Sequence, residues 1–139
     1  MKAEEYLDNI RDMTFKIKAL ERMRMETREQ IGMIRRKQDE VRHEPKRDAL
    51  ENDVIKSMSQ LEKLDKTIAK ERARYMIKTK KAYEHIMRLK EGQCRRFLID
   101  YYIEGKNEIE IAYEYRYEST VSIYNLKRRA LKYFSKFFK

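Results

Sequence analysis

The sequence predicts an all-α protein: a long antiparallel helical hairpin, coiled-coil-like in its pattern, followed by a small aromatic-rich helical module. Three observations predict it. The 139 residues include only three Gly and one Pro, so few turn formers interrupt a chain rich in Lys, Arg, Glu, Leu and Met. Apolar residues make up 41% of the chain and recur in steps of three and four, which argues for a folded helical chain despite 42% charged residues. Eleven of the fifteen Phe and Tyr lie after residue 90, where a compact core would need them.

The first helix is read from Tyr6, Ile10, Met13, Ile17, Leu20, Ile31, Ile34 and Val41, with Arg24, Thr27 and Gln38 as polar members of the same track. The segment His43 to Asp48 breaks it, because Pro45 cannot continue a helix interior. A second seam runs through Leu50, Val54, Leu61, Leu64, Ile68, Tyr75, Ala82 and Leu89, interrupted by Ser57, Glu71, Lys78 and His85. The two helices are expected to fold back on each other as an arm over residues 1–91. Two helices alone bury little, so the arm is expected to pair with a second copy as a homodimer.

Residues 92–139 form the expected module. Gly92 is expected to end the second helix. Phe97, Leu98, Tyr101, Tyr102 and Ile103 have helical spacing and stop at Gly105; Asn107 then caps a short helix through Tyr115, with Ile109, Ile111 and Ala112 facing inward. After a break at Arg116-Tyr117-Glu118, Glu118 or Ser119 starts a last helix. The short helix, the break and the last helix make a helix–turn–helix. On a wheel of 100° per residue, Ile123, Leu126, Ala130, Tyr133, Phe134 and Phe137 share one face, within about 80° of Ile123. Val121, Tyr124, Asn125, Arg128 and Lys132 lie opposite, with Ser122 and Arg129 on the flank.

Charge concentrates function at this end. Residues 1–90 hold 24 basic and 17 acidic side chains, residues 91–118 four and seven, and residues 119–139 six and none, for an overall +10. A helix with an outward face of short polar groups, one tyrosine and cations suits a major groove, its early residues meeting base edges and its later cations meeting phosphates. A solvated basic face near a helix C-terminus is the plainer alternative.

Other classes find little support. The single Cys94 cannot form an internal disulfide, the first twenty residues carry charges throughout, and the longest uncharged run is Ser119 to Leu126, so a cytoplasmic protein without membrane contact is expected. His43 and His85 stand far apart, and no glycine loop or ligand cluster is present, so neither enzyme activity, metal nor cofactor is expected. His85 is expected to be packed, Cys94 to be a small core residue, and the alternating Tyr113, Tyr115 and Tyr117 to pack in the core or the turn.

The run Phe97-Leu98-Ile99-Asp100-Tyr101-Tyr102-Ile103-Glu104-Gly105-Lys106, then Glu110-Ile111-Ala112, then Arg129-Ala130-Leu131-Lys132, resembles the region-4 helix–turn–helix of sigma-70 factors. It looks especially like the sigma-like proteins of bacteriophages, which pair such a module with an N-terminal helical hairpin. Tyr124 and Leu126, the opening Glu4-Glu5-Tyr6-Leu7 through Ile10, and the break before Leu50 fit the phage version as well. The resemblance implies a sequence-specific transcriptional regulator that binds double-stranded promoter or operator DNA in the host bacterial cytoplasm, with host RNA polymerase as a further candidate partner. Carried over by position, Ser122, Tyr124, Asn125 and Arg128 become base-reading candidates. Ser119, Thr120, Lys127, Arg129 and Lys132 become phosphate candidates.

The chain departs from the family in the turn, where Arg116 stands at or near the usual glycine and the spacing from Ala112 to Ala130 is one residue longer. An arginine at positive φ costs energy, so a turn of another shape is expected there. Two other functions fit the same elements. One is a small phage DNA-packaging subunit that assembles as a ring. The other is a protein-interaction inhibitor of a host nucleic-acid-binding complex.

Overall fold

The computed structural model describes residues 2–138 and is all-helical over them. Helix α1 spans Ala3–Glu40 and α2 spans Lys46–Ile86, with the turn between them at the expected break. Pro45 stands immediately before α2, where its fixed φ suits helix entry. Helix α3 (Gly92–Leu98) runs on as a π-helical turn, Ile99–Ile103, and is followed by α4 (Glu108–Glu114) and α5 (Thr120–Phe137).

The chain divides into two compact units, and the division falls elsewhere than the 91/92 boundary expected from sequence. One unit joins residues 1–16 to 73–139; the other is the intervening 17–72. The reason is burial. Ala3, Tyr6, Leu7 and Ile10 of α1, and Ala82, Ile86 and Leu89 after them, belong to the same core as Cys94, Phe97, Leu98, Tyr102, Ile111, Ala112, Ile123, Leu126, Ala130 and Phe134. A 48-residue module alone would bury too little apolar surface to be stable, and the two ends of the seams supply the rest.

Hydrogen bonding ties the same pieces. The π-helical turn leaves C-terminal carbonyls without partners of their own, and side chains of α1 and α2 satisfy them. Arg11 donates to the carbonyls of Tyr101 and Lys106, and Tyr75 donates to that of Ile103 at 2.9 Å, with the Thr14 hydroxyl 3.0 Å from the same oxygen. The Arg11 guanidinium also lies 3.8 Å above the Tyr101 ring. Gly105 then takes φ 77, the left-handed conformation that closes this segment.

Gly92 does not end α2, which stops at Ile86; it opens α3, with Glu91 in the N-cap position. Asn107 caps α4 as expected, accepting from the Glu110 amide at 2.8 Å. Ile111 and Ala112 are buried, but Ile109 is 73% exposed. With α4 only two turns long, its inner face has room for one adjacent pair, and Ile109 falls outside it.

In the 17–72 unit the two helices pair antiparallel. Contacts on α1 descend as those on α2 rise: Gln38 with Glu51 at 2.6 Å, Arg24 with Asp65 at 3.5 Å, Glu21 with Arg72 at 3.1 Å. Ile17, Val54 and Ile68 are its buried apolar residues, while Gln38, Ser57 and Glu71 are buried polar ones. Met23, Met25, Met33, Ile55 and Met58 are exposed. The buried surface here is thin and mixed, as the interrupted seams imply.

Candidate nucleic-acid interface

The candidate interface is built on α5. Eighteen residues at 1.5 Å each make a rod of about 27 Å. Ile123, Leu126, Ala130 and Phe134 are buried, one turn apart along one side. Tyr133 is half-buried and Phe137 is 42% exposed, so the inner stripe is narrower than the wheel suggests. Ser119, Thr120, Val121, Ser122, Tyr124, Asn125, Arg128 and Lys132 are all exposed. The base-reading candidates therefore share one accessible face with Lys132, while Ser119 and Thr120 are exposed at the start of the helix.

What aims α5 is the turn before it. Tyr115 ends α4, the Arg116 amide donates to the Tyr113 carbonyl at 3.2 Å, and the Tyr117 amide to that of Ala112 at 2.9 Å. This pair of bonds is a Schellman motif, with Arg116 in its left-handed position at φ 59. The expected change of turn shape is thus absent: the chain keeps the glycine geometry and carries an arginine in it, at roughly 1–2 kcal/mol. Neighbouring packing holds it there. The Tyr115 hydroxyl donates to Asp100 at 2.7 Å, the Arg96 guanidinium lies 4.3 Å over the Tyr115 ring, and the Tyr117 ring meets Tyr115 edge-on. Burial and the bond to Asp100 push the Tyr115 pKa well up. Tyr113, by contrast, is 85% exposed and takes no part in core or turn packing.

Two phosphate candidates are engaged inside the protein. Lys127 lies 3.2 Å from the Tyr101 hydroxyl, 3.4 Å from Glu108 and 4.4 Å over the Tyr101 ring, with its side chain 22% exposed. Burial works against its charge, but Tyr101 and Glu108 outweigh that and leave its pKa raised. Arg129 bonds Glu91 at 2.6 Å, tying α5 to the residue before α3, and Cys94 and Glu91 raise its pKa. Burial pushes the Cys94 pKa up, so it is a packed thiol rather than a reactive one. Lys127 and Arg129 therefore position α5, and the cations that its outer face leaves without an ion pair, among the described residues, are Arg128, Lys132 and Lys136, the last lying 5.4 Å from the centre of the Tyr133 ring.

Glu108 is the neighbour of this face that the sequence did not single out. Besides pairing with Lys127, its carboxylate pushes the Tyr124 pKa up. A carboxylate of α4 thus stands near a base-reading candidate of α5, a helix that carries no acid of its own. Its place as the first residue of α4 was readable, but its link to α5, 19 residues on, was not.

His85 packs edge-on against Phe134 and Phe138 at 6.3 and 5.7 Å, as expected of a packed histidine. Among the described residues no helix is long and apolar enough to cross a membrane. No family model matches this chain, and no curated protein or solved structure matches it either.

Proposed function

We propose that this chain is a sequence-specific duplex-DNA-binding transcriptional regulator, phage-encoded, that reads promoter or operator DNA with α5. The observation that carries the reading is the division of α5 into a buried apolar side and an exposed side of Ser122, Tyr124, Asn125, Arg128 and Lys132, oriented by a fully hydrogen-bonded turn. Ser and Asn offer donors and acceptors to base edges, Arg128 offers a two-pronged donor to guanine, and Lys132 offers charge to the backbone. Lys127 and Arg129 support the geometry rather than the contact.

The thin, mixed surface that the two helices of the 17–72 hairpin bury between them, with Met25 and Met33 left exposed on α1, supports the homodimer through this hairpin. A dimer reads two half-sites, so its operator would be two-fold symmetric. An apolar face of the other unit, lined by Met76, Ile77, Tyr83 and Ile103, favours an additional protein contact, for which host RNA polymerase is the partner proposed.

The test is fluorescence anisotropy with random duplex DNA and the phage's intergenic fragments across a salt series. The reading requires fragment-selective binding whose log K falls against log salt with a slope of about −0.9 per phosphate neutralised. Weak binding with no preference among fragments would reject it, leaving the +10 charge as sufficient explanation. Sedimentation over a concentration range then separates a dimer from a ring or a monomer.

A further inference from the structure

We infer that Arg116 is a phosphate-contacting residue of this protein, presented to the DNA backbone by the turn between α4 and α5. The inference rests on the duplex-binding reading of α5 and adds a contact that the helix itself does not supply. Arg116 occupies φ 59, where glycine is the unstrained residue, yet the turn around it is complete: its own amide and that of Tyr117 both cap carbonyls of α4. Nothing in the turn's geometry asks for a long side chain. Its flanking residues are fixed by their side chains, Tyr115 through Asp100 and Arg96, and Tyr117 against the core. Arg116 itself is exposed and makes no ion pair among the described residues, and the nearby acid Glu114 is occupied by Lys106 at 3.0 Å. The hydrogen-bonded turn thus offers an exposed guanidinium, without an ion pair among the described residues, three residues ahead of Ser119 at the start of α5. Five donors on a fixed base suit a phosphate oxygen pair better than a flexible lysine would. A backbone phosphate carries no sequence information, so this contact sets register rather than specificity.

The test compares Arg116→Gly and Arg116→Lys with the unsubstituted protein, on a selected duplex and a random one, over a salt series, with thermal melts alongside. Arg116→Gly relieves the backbone and removes the cation, so its melting temperature should rise by about 2–4 °C. Its binding should weaken on both duplexes alike, by about three- to tenfold at moderate salt, with the salt slope shallower by about 0.9. Arg116→Lys should keep most of the slope at an unchanged melting temperature. A stabilised Arg116→Gly with unaltered affinity and slope would overturn the inference. A loss confined to the selected duplex would overturn it too, by making Arg116 a base reader. If the unsubstituted protein binds neither duplex, the reading of α5 fails and this inference with it; normal binding with an indifferent Arg116→Gly rejects this inference alone.

Discussion

Replacing Glu108 by glutamine should make the protein slightly less stable and a tighter DNA binder. Glu108 lies 3.4 Å from the Lys127 ammonium, with both side chains 22% exposed, so the pair is partly desolvated. At an effective dielectric of 20 the gross attraction is about 5 kcal/mol. Desolvation and side-chain ordering cancel most of it, leaving about 1 kcal/mol of net stability. Loss of that, softened by the glutamine's remaining hydrogen bonds, should lower the melting temperature by about 3 °C. On DNA the balance reverses. Where α5 meets DNA as proposed, a fixed negative charge leaves its neighbourhood and Lys127 is freed to meet a phosphate. Affinity for random and selected duplex should rise about three- to tenfold at 0.1 M salt, with a slope steeper by about 0.9. Anisotropy titrations of Glu108→Gln, Lys127→Ala and the double substitution measure this. Lys127→Ala alone leaves Glu108 unneutralised and should weaken DNA binding slightly, and the double substitution should keep only the part of the gain that comes from removing the carboxylate, without the steeper slope. Unchanged or weaker binding by Glu108→Gln, together with a large loss for Lys127→Ala alone, would refute the account, since Lys127 would then already reach DNA while paired.

Three further outcomes follow from particular contacts. Arg128→Ala with Lys132→Ala should make the salt slope shallower by about 1.8 and leave the melt within about 0.5 kcal/mol; Arg129→Ala should do the opposite, costing up to about 1 kcal/mol in urea unfolding through the lost Glu91 pair while moving the slope little. Leu7→Ala should destabilise by about 2–5 kcal/mol and perturb the near-ultraviolet signal of the aromatic core, because Leu7 is fully buried in it; an arm independent of that core would show no such coupling. Tyr102 has a fully buried hydroxyl without a protein partner, and burial raises its pKa well above the ordinary value near 10. The stability this confers is full below pH 10 and is lost as pH rises beyond it, so Tyr102→Phe should be neutral to about 1 kcal/mol stabilising at pH 7, and its unfolding should depend less on pH above 10.

The helical class and the break at Pro45 were legible because both rest on local rules: hydrophobic period and a residue that cannot continue a helix. The inner stripe of α5 was legible for the same reason at Ile123, Leu126, Ala130 and Phe134. Phe137 was not, because a wheel assigns direction and not whether anything is there to cover the residue. The same limit explains the misplaced boundary. Tyr6, Ile10, Ala82 and Leu89 do lie on seams, yet a seam does not say which surface it meets, and here the ends meet α3, α4 and α5. Lys127 and Arg129 looked like free cations because their partners, Glu108 and Glu91, come 19 and 38 residues earlier. The turn at Arg116 was misread through a sound argument about cost, which the flanking tyrosines and two capping bonds outweigh.

The division of the chain at residues 16/17 and 72/73 has a consequence for synthesis. Residues 17–72 form an uninterrupted stretch whose pairing partners are near in sequence at the turn, so this hairpin can zip from residue 41 outward while translation continues. Ala3 to Ile10 have no such local option. They leave the ribosome well before their neighbours in the core, from Ala82 to Phe134, are made. The opening segment, Leu7 and Ile10 included, must wait with its apolar face uncovered until α5 is synthesised. Until then it is the part of the nascent protein most exposed to chaperones and proteases.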